Sequence, residues 1–538
     1  NFQLDNPSAS VAGLLNIHAE LHKLDSTNHY IQLKKTEIQN LIVQCLGLWF
    51  ETNPKEYAGV AREKTNINIS VINRSNFPVK LLSYRWTGAK KDSVVNVALE
   101  NNLLKQFQIQ TTLPTDLKVS QPYWLLKPVD KGNFQIDQQQ DVGYPENRSE
   151  TTTTYVFDIG GQIFLFAKDW QYKFTNPAEG EIYSAFEIRP AVTTNITEPV
   201  FIFSDNKSKN VQVRVQSHQA QVNGMVRLAL PKNWKSTPTS YPFDLKDKNQ
   251  EQVFSFSITP PNVSEEIVIK AEAIVNNKTY TQAIKSIAYH HIPTQTIFPP
   301  AEAKLVRTHV ITTAKKIGYI AGAGDDIPAA LRQIGCEVTM LNEAEMTKNL
   351  DVYDAIVVGV RAYNTEARLA HEQKKLMAYV ENGGTMVVQY VIPGSMQVAD
   401  IGPYPLRTGR DRISEEDAKL NFLLPNHSLL NFPNKITAKD FDGWIQERGL
   451  YFAQDWDPNH YDAILTGHDA GEDPKKGSLL YAKYGKGHYI YTGLSFFREL
   501  PAGVPGAYRL FANLISAGKK ENIPYGHVSL KEHGHFIK

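Results

Sequence analysis

Cysteine is scarce in this chain: Cys45 and Cys336 are the only two in 538 residues. Two thiols in distant segments exclude a disulfide framework and a zinc site built from cysteines. The chain also lacks an excess of either charge, with 57 basic and 56 acidic residues, and it has no Lys/Arg-rich run. We therefore expect no nucleic-acid partner and no electrostatic attraction to an anionic membrane.

Long apolar runs are absent as well. No stretch approaches the roughly 20 residues that span a bilayer, so we predict no transmembrane segment. The chain begins at Asn1 with neither a methionine nor a signal-like apolar segment. We expect a processed or trimmed form, from which any targeting peptide has been removed. A chain of 538 residues is too long for one core, and we predict three or four domains.

The first predicted domain, residues 1–58, is a helical hairpin with one apolar face. Two segments with helical spacing are separated by four polar residues that can end the first helix and cap the second. These are Asp25, Ser26, Thr27 and Asn28. An apolar helical face at this place must be buried against something, and we expect it to pack against a domain upstream of this chain. The residues that carry the helical spacing are Val11, Leu14, Leu15, His18 and Leu21, then Ile38, Leu41, Ile42, Cys45 and Trp49.

Short strands follow, and we interpret them as two tandem β-sandwiches, at residues 59–181 and 182–300. In "TNINISVINRS" the apolar Ile67, Ile69 and Val71 alternate with polar neighbours, as in a half-buried strand. Regular short strands between Pro, Asn and Gly turns are typical of sandwiches. The segment "IPTQTIFPPAEAKLV" carries three prolines and predicts a linker that ends the β region.

Residues 301–538 change to an α/β pattern. Apolar strands such as "KIGYIAG", "YDAIVVGV" and "TMVVQYVI" alternate with segments of helical spacing. This order predicts a parallel, flavodoxin-like sheet with helices on both faces. Near the end, "GSLLYAKYGKGHYIYTGL" predicts a hairpin and "GAYRLFANLISAG" a closing helix. The predicted fold class is therefore multidomain α+β.

The turn "GYIAGAGDD" after the first of these strands resembles a phosphate-binding loop only in part. Ile327 stands where a dinucleotide fingerprint needs its third glycine. Asp325 and Asp326 would cap the following helix and would repel a phosphate. We interpret the segment as a capped turn and predict no cofactor.

Arg361, Tyr363 and Tyr390 follow two neighbouring strands of the predicted sheet. In open parallel sheets, ligands bind in the crevice at the carboxyl ends of the strands. Arg361 could hold a carboxylate or a sugar hydroxyl there, and the tyrosines could stack on a ring. In the alternative interpretation, Arg361 pairs with an acidic loop residue and the tyrosines pack in the core.

The segment "DFDGWIQERGLYF" (440–452) is the other concentration of functional side chains. Trp444 and Arg448 are further candidate ligand contacts. The same segment and the one just before it in the sequence also supply candidate acid/base residues. In the alternative interpretation, these residues form ion pairs that hold the loop against the domain. These are His427, Asp440, Asp442 and Glu447.

Metal-ligand spacing is missing among the remaining histidines. Apart from His18 and His22 in "HAELH", no H-x-x-x-H spacing occurs, and the sequence has no H-E-x-x-H or His-Pro-Asp-Asp run. We predict no metal site.

The α/β segment resembles the class I glutamine amidotransferase-like fold, in the variant found in trehalose-utilisation-type domains. The resemblance is carried by "YDAIVVGVRAYNT", "YVENGGTMVVQY" and "GKGHYIYTGLSFFREL". In that family a strand ends in a catalytic cysteine within a glycine-flanked elbow. Tyr390 stands at this place, flanked by Gln389 and Val391. The resemblance therefore implies a ligand crevice whose catalytic nucleophile is missing.

The order of all four domains resembles the C-terminal two-thirds of long bacterial PIG-L (LmbE-like) deacetylases. "NISVINRSNFPVKL", "PYWLL", "GYPENR", "GEIYSAFEIRPAV" and "AYHHIP" carry this resemblance, and the second sandwich is similar to the α-galactosidase-associated type. The zinc-dependent deacetylase domain of that family, with its His-Pro-Asp-Asp motif, is absent from this sequence. No catalytic residue can therefore be assigned by the resemblance.

The resemblance implies a non-catalytic accessory region of an N-acetyl sugar deacetylase, which binds or presents a carbohydrate. Its implied partner is the upstream deacetylase domain, and its implied location is periplasmic or extracellular. One alternative is a trehalose-utilisation-type hydrolase, which requires the acid/base candidates to converge within about 4 Å of Tyr390, a hydrogen-bonding reach. The other is a scaffold that docks the deacetylase domain, and it predicts an apolar patch on residues 11–49 and no pocket near Tyr390.

Overall fold

The computed structural model describes residues 2–130 and 132–522. This part of the chain is multidomain and rich in β-sheet with a few helices, consistent with the predicted α+β class. The individual domain bounds stay predictions, and Asn1, Lys131 and residues 523–538 of the predicted domains lie outside the described residues. No helix in the described ranges is long and apolar enough to cross a membrane. The helices are α1 (Val11–His22), α2 (His29–Leu46), α3 (Ile327–Gln333), α4 (Glu343–Thr347), α5 (Ala362–Thr365), α6 (Leu369–Glu381), α7 (Ser428–Asn431), α8 (Phe496–Glu499) and α9 (Pro505–Ile515).

Two helices, α1 and α2, lie in the segment where the spacing predicts them. Asn28 caps α2 by accepting a hydrogen bond from the Tyr30 N–H, and Gly47 ends α2 in the left-handed conformation. The apolar face of the pair contacts Phe157 and Phe164 of this same chain in one hydrophobic cluster. The expectation that another domain covers this face is therefore wrong, because the first β region covers it.

The first β region contains two main sheets that share this cluster. A three-stranded sheet has the order β1-β3-β6, and a four-stranded sheet has the order β5-β4-β7-β8. Alternate residues of each strand point inwards, as in the burial of every second residue of β7. The strands are β1 (Trp49–Pro54), β2 (Ala58–Val60), β3 (Lys64–Ile72), β4 (Val79–Trp86), β5 (Ser93–Ala98), β6 (Lys105–Thr112), β7 (Thr152–Ile159), β8 (Gln162–Asp169), β9 (Gln171–Asn176), β10 (Gly180–Ala185) and β11 (Glu187–Arg189).

The second β region also consists of two main sheets around one core. One has the order β12-β14-β18-β16, and the other has the order β13-β23-β19-β15-β17 with β20 paired to β19. Their inward residues form a single hydrophobic cluster. The strands are β12 (Val192–Ile196), β13 (Val200–Phe203), β14 (Lys209–Ser217), β15 (Val222–Ala229), β16 (Lys235–Thr237), β17 (Ser240–Leu245), β18 (Glu251–Thr259), β19 (Glu265–Val275), β20 (Lys278–Tyr280), β21 (Lys285–Ile287), β22 (Gln295–Ile297) and β23 (Glu302–Arg307).

The predicted linker at 292–306 is wrong for its last part. Strand β23 is inserted between β13 and β19 and is hydrogen-bonded to both. Ala303 and Leu305 are buried and Lys304 is not, an alternation that marks a strand. The prolines of this segment mark the turn before the strand and do not end the sheet.

A seven-stranded sheet forms the centre of the α/β region, with the order β25-β24-β26-β27-β34-β33-β31. The first five strands are parallel, and β33 and β31 continue the sheet antiparallel. Side chains of α3 and α9 pack on one face and those of α6 on the other. The strands are β24 (Lys316–Ile320), β25 (Glu337–Met340), β26 (Ala355–Val358), β27 (Thr385–Gln389), β28 (Leu406–Thr408), β29 (Leu420–Phe422), β30 (Ala453–Trp456), β31 (Tyr461–Ala463), β32 (Leu465–Gly467), β33 (Leu479–Tyr484) and β34 (Gly487–Thr492).

The strand order reverses beside β24. Strand β25 lies on one side of β24, and the next strands, β26 and β27, lie on the other. At such a reversal the connecting segments leave the sheet in opposite directions and open a crevice at the carboxyl ends of the strands. The crevice is therefore bordered by the residues that follow β24, β26 and β27.

Helix α3 also joins the α/β region to the second β region. The side-chain amide of Gln333 donates to the carbonyl of Val200 at 3.0 Å and accepts from the N–H of Ile202 at 2.7 Å. Both partners lie on β13, the outermost strand of its sheet. One glutamine side chain thus occupies backbone groups that a further strand would otherwise bind.

The packing of the hairpin generates a first prediction. Ile42 is fully buried in the shared cluster, whereas the adjacent Leu41 is 45% exposed. Ile42→Ala should destabilise the N-terminal region by about 2–5 kcal/mol, because it leaves a cavity in that core. The matched variant Leu41→Ala should change stability by less than about 0.5 kcal/mol. Thermal unfolding monitored by calorimetry measures both, and equal effects would contradict the packing.

Candidate ligand-binding crevice

A strained backbone turn lies at the centre of the crevice. Arg361 follows β26 and adopts φ +57° and ψ 19° at the start of α5. This left-handed conformation is uncommon for a residue with a side chain and costs about 1–2 kcal/mol. Tyr390, which the sequence placed at the elbow, is not among the described residues with positive φ. The strained turn is therefore at Arg361, one strand earlier than expected.

Gly322 holds this turn from the neighbouring strand. A Cβ atom on Gly322 would overlap the carbonyl oxygen of Val360 and would lie 2.6 Å from the Ala362 nitrogen. Only glycine allows the two backbone segments to approach this closely. The Ala323 N–H then donates to the Val360 carbonyl at 2.9 Å. The glycine of the "GAG" turn therefore has a packing role.

The carboxylate of Asp325 fixes the turn from below. It accepts hydrogen bonds from the Tyr319 hydroxyl at 2.5 and 2.6 Å, from the Ile327 N–H at 3.1 Å and from the Val360 N–H at 3.2 Å. Burial, reinforced by the negative charge of Asp325, raises the pKa of Tyr319 well above its usual value, so this hydroxyl remains a donor. Gln389 donates to the same hydroxyl at 3.1 Å. Residues after β24, β26 and β27 are thereby joined in one network.

Three aromatic rings meet above this network. Tyr390 is 8% exposed, and its ring stacks on Tyr451 with a centroid distance of 5.5 Å and an interplanar angle of 21°. Phe497 contacts the Tyr390 ring at 5.4 Å. Tyr451 and Phe497 are only partly buried. Their outer surfaces form an aromatic platform at the carboxyl edge of the sheet.

Charged groups surround the Tyr390 hydroxyl. Burial raises the pKa of Tyr390; the nearby Tyr451 and Glu447 act in the same direction, and Arg361 and Arg498 oppose them. The phenol is therefore neutral and can donate a hydrogen bond. Arg498 donates to Glu447 at 3.1 Å and lies 4.8 Å from the Phe497 ring centre. The crevice thus combines aromatic surfaces with donors for an oxygen-rich ligand.

Three of the five predicted ligand contacts lie elsewhere. Tyr363 is fully buried in the core beside α6, where its hydroxyl donates to Gln373 at 2.6 Å. Trp444 is buried and donates to the Asp440 carbonyl at 3.0 Å. Arg448 is buried and donates to the carbonyls of Ala418 and Phe441. Their side chains are used within the fold, whereas Arg361 and Tyr390 border the crevice together.

The candidate acid/base residues do not converge. His427 caps α7, accepting from the Leu429 N–H at 3.2 Å, and its ring contacts Tyr481. Tyr481 is hydrogen-bonded to His488 near the amino end of β34, at the opposite edge of the sheet. Asp440 pairs with Arg509 at 2.8 Å and completes a capping box with Thr437, while Asp442 is exposed. Of the four, Glu447 alone is placed beside Tyr390.

Sequence reasoning missed Phe497 and Arg498, and it noted Tyr451 in the segment 440–452 without selecting it as a ligand contact. Phe497 and Arg498 follow β34, which is parallel to β27 and ends at the same edge. The sequence pattern of "GHYIYTGL" predicts the second strand of a hairpin, and it does not reveal that this strand, β34, also pairs in parallel with β27. A search for residues after every parallel strand would have found both side chains. Within the described ranges, no group of three or more His, Cys, Asp and Glu side chains is arranged to hold a metal ion.

A surface cavity of about 620 Å³ lies away from the aromatic platform. Its lining includes Asp411, Glu472 and Asp473 from loops and Gln454 of β30. Its lining is mainly polar and charged, and it shares no residue with the strained turn. It is therefore separate from the crevice.

Relief of the strained turn is testable. Arg361→Gly should raise the unfolding free energy by up to about 1 kcal/mol, because glycine adopts positive φ without a steric penalty. Gly322→Ala should have the opposite effect, since the added methyl group would displace the turn. Gly13→Ala, where nothing lies within 4 Å of the added atom, is the control and should be neutral or slightly stabilising. Thermal unfolding distinguishes the three variants, and a less stable Arg361→Gly would contradict the strain.

Glu499 links the two segments that carry the platform. It is fully buried on α8 and accepts from the Ile445 N–H at 3.2 and 3.0 Å. Burial raises the pKa of Glu499 from 4.5 to about 7. Between these two values the folded chain binds more protons than the unfolded chain, so stability falls as the pH rises through this window.

Glu499→Gln should remove this pH dependence. Relative to wild type, the variant should gain about 1–3 kcal/mol between pH 5 and pH 8, because the neutral amide avoids the cost of a buried charge. Glu20→Gln, at a side chain that is 70% exposed, is the matched control and should follow wild type. Melting temperatures across this pH range measure the difference. If the melting temperatures of wild type and Glu499→Gln changed with pH in the same way, the pKa of Glu499 would not control the pH dependence of stability.

Comparison with known proteins gives no family. No family model and no curated protein matches this chain. Among solved structures, it is similar to a GMP synthase component from Thermoplasma acidophilum, with 11% identity and a TM-score of 0.27 over 39% of this chain and 96% of that one. It is also similar to red sea bream transglutaminase, with 7% identity and a TM-score of 0.21 over 45% and 33% of the two chains. Likeness at these TM-scores supports no conclusion about function.

Proposed function

We propose that this chain is a non-catalytic accessory region of a PIG-L-like N-acetyl sugar deacetylase and that it binds glycan at the crevice. The quoted PIG-L-like segments and the order of the regions support the proposal. The proposed partner is the deacetylase domain of the same protein, and the proposed location is periplasmic or extracellular. The described part of residues 301–538 would then be a degenerate class I glutamine amidotransferase-like domain.

The observation that carries the proposal is the aromatic platform beside Arg361. Partly exposed Tyr451 and Phe497 flank Tyr390 at the edge where parallel sheets bind ligands. A sugar presents an apolar C–H face that packs on aromatic rings and a rim of hydroxyl groups that form hydrogen bonds. Tyr390, Arg361 and Arg498 supply donors at this rim.

The same site argues against catalysis. Tyr390 occupies the strand end where the resemblance expects a nucleophile, and the strained turn one strand earlier carries the guanidinium of Arg361. Three of the four acid/base candidates lie away from Tyr390, so the trehalose-utilisation-type hydrolase lacks its required convergence. A binding role needs neither a nucleophile nor a base, and it fits the residues that are present.

A docking role for the hairpin is a second candidate. Its outer surface exposes large apolar side chains, although its inner face is covered. Such side chains favour contact with another domain when they are grouped. The exposed residues are Ile17, Leu24, Tyr30, Leu33 and Leu41. The deacetylase domain is the proposed occupant.

Glycan binding is tested by titration with N-acetylglucosamine and its β-1,4 trimer, with glucosamine for comparison. An acetylated ligand at about 100 times its dissociation constant should add about 2.7 kcal/mol of stability. Tyr451→Ala and Phe497→Ala should each weaken binding about two- to tenfold, because each removes one ring contact. Calorimetric titration gives the dissociation constants.

The control for this experiment is Tyr289→Ala, since Tyr289 is an exposed ring of the second β region. It should bind the sugars as wild type does. No binding by wild type to any of the three sugars would overturn the glycan proposal and favour docking.

A further inference from the structure

Arg361 differs from Arg498 at the crevice and from the more distant Arg448, because its charge has no partner among the described residues. Its Nε atom is buried without a hydrogen bond, and no ion pair joins the side chain to any residue in the described ranges. Arg498 is paired with Glu447, and Arg448 is bonded to backbone carbonyls. Removing a cation partly from water without a partner is costly. The fold therefore maintains an uncompensated positive charge at this place.

Among the described residues, the carboxylates near the crevice are already bonded to other donors. The groups that act on the Tyr390 hydroxyl are Arg361, Arg498, Glu447 and the Tyr451 phenol. The single carboxylate among them, Glu447, is occupied by Arg498 at 3.1 Å. These groups together carry one net positive charge, and the Asp325 carboxylate beneath the turn is bonded to the Tyr319 hydroxyl and to the N–H groups of Ile327 and Val360. A neutral sugar would leave that charge uncompensated, whereas an anionic ligand would pair with it.

The backbone holds the guanidinium at the crevice. The Arg361 N–H donates to the Tyr390 carbonyl at 3.0 Å, and the turn is fixed by Gly322 and by the Val360–Asp325 hydrogen bond. A side chain that starts from a fixed backbone loses less conformational freedom on binding. The planar guanidinium can then form two parallel hydrogen bonds to a carboxylate.

We propose that the crevice recognises a sugar that carries a carboxylate, with Arg361 binding the carboxylate and Tyr451 and Phe497 packing on the sugar ring. This inference rests on the proposed glycan-binding function and narrows it to acidic sugars. The carboxylate supplies the ion-pair partner that Arg361 does not have among the described residues. The remaining donors, Tyr390 and Arg498, face the hydroxyl groups.

N-acetylmuramic acid and N-acetylglucosamine form a matched pair of probes, because they differ by one lactyl group with its carboxylate. Calorimetric titration of the wild-type chain should show at least about tenfold tighter binding of the acid, as expected for a charge-assisted hydrogen bond. The methyl ester of N-acetylmuramic acid keeps the shape and removes the charge. It should bind like N-acetylglucosamine, and added NaCl should weaken binding of the acid alone.

Arg361→Gln should abolish the preference for the acid over N-acetylglucosamine, whatever its effect on the affinity for the neutral sugar. Arg214→Gln, at an exposed arginine of the second β region, is the charge-matched control and should keep the preference. A preference that persists in Arg361→Gln, or an ester that binds as tightly as the acid, would overturn the inference.

The two proposals fail in different ways. Equal binding of acid and neutral sugar by wild type refutes the acidic-sugar inference and leaves the glycan proposal intact. Binding of neither sugar refutes both. The three probes are compared on wild-type protein, so that result does not depend on whether any variant folds. Circular dichroism shows whether the variants are folded.

Discussion

The crevice depends on one carboxylate beneath the sheet edge. Asp325 gathers donors from three places: the hydroxyl of β24, the start of α3 and the turn after β26. Without it, the Val360 N–H would lose its acceptor at the point where the backbone turns into the left-handed region. The position of Arg361, and hence the charge of the crevice, follows from this hydrogen-bond network. An acidic residue in a glycine-rich turn therefore has a structural task, since it holds a backbone that carries the functional cation.

The sequence predicted the part of the site that follows from strand periodicity. Arg361 and Tyr390 come directly after apolar strands, and parallel strands end at a common edge, so their approach could be expected. Tyr363 could not be placed in this way. It lies two residues beyond the strained turn, where the short helix α5 directs its ring into the core. The direction of a side chain after a strand depends on the backbone angles of the turn, which composition does not reveal.

The segment 440–452 shows a different limit. Its density of charged and aromatic residues suggested a ligand site, yet Trp444 and Arg448 are buried and bonded to backbone carbonyls. Long polar loops must satisfy their own backbone groups, and large side chains with several donors do this well. Tyr451, the penultimate residue of the same stretch, reaches the crevice. Its exposure is decided by the stacking of Tyr390, which is distant in the sequence.

The amide of Gln333 has a consequence for solubility. Outermost strands such as β13 present free N–H and C=O groups that can recruit a strand from another molecule and begin aggregation. A single side chain from α3 occupies two of these groups, and the helix covers the strand with them. The α/β region therefore protects the second β region from intermolecular pairing. Separation of the two regions, by proteolysis or by truncation, would leave the backbone groups of Val200 and Ile202 free to pair with a strand of another molecule.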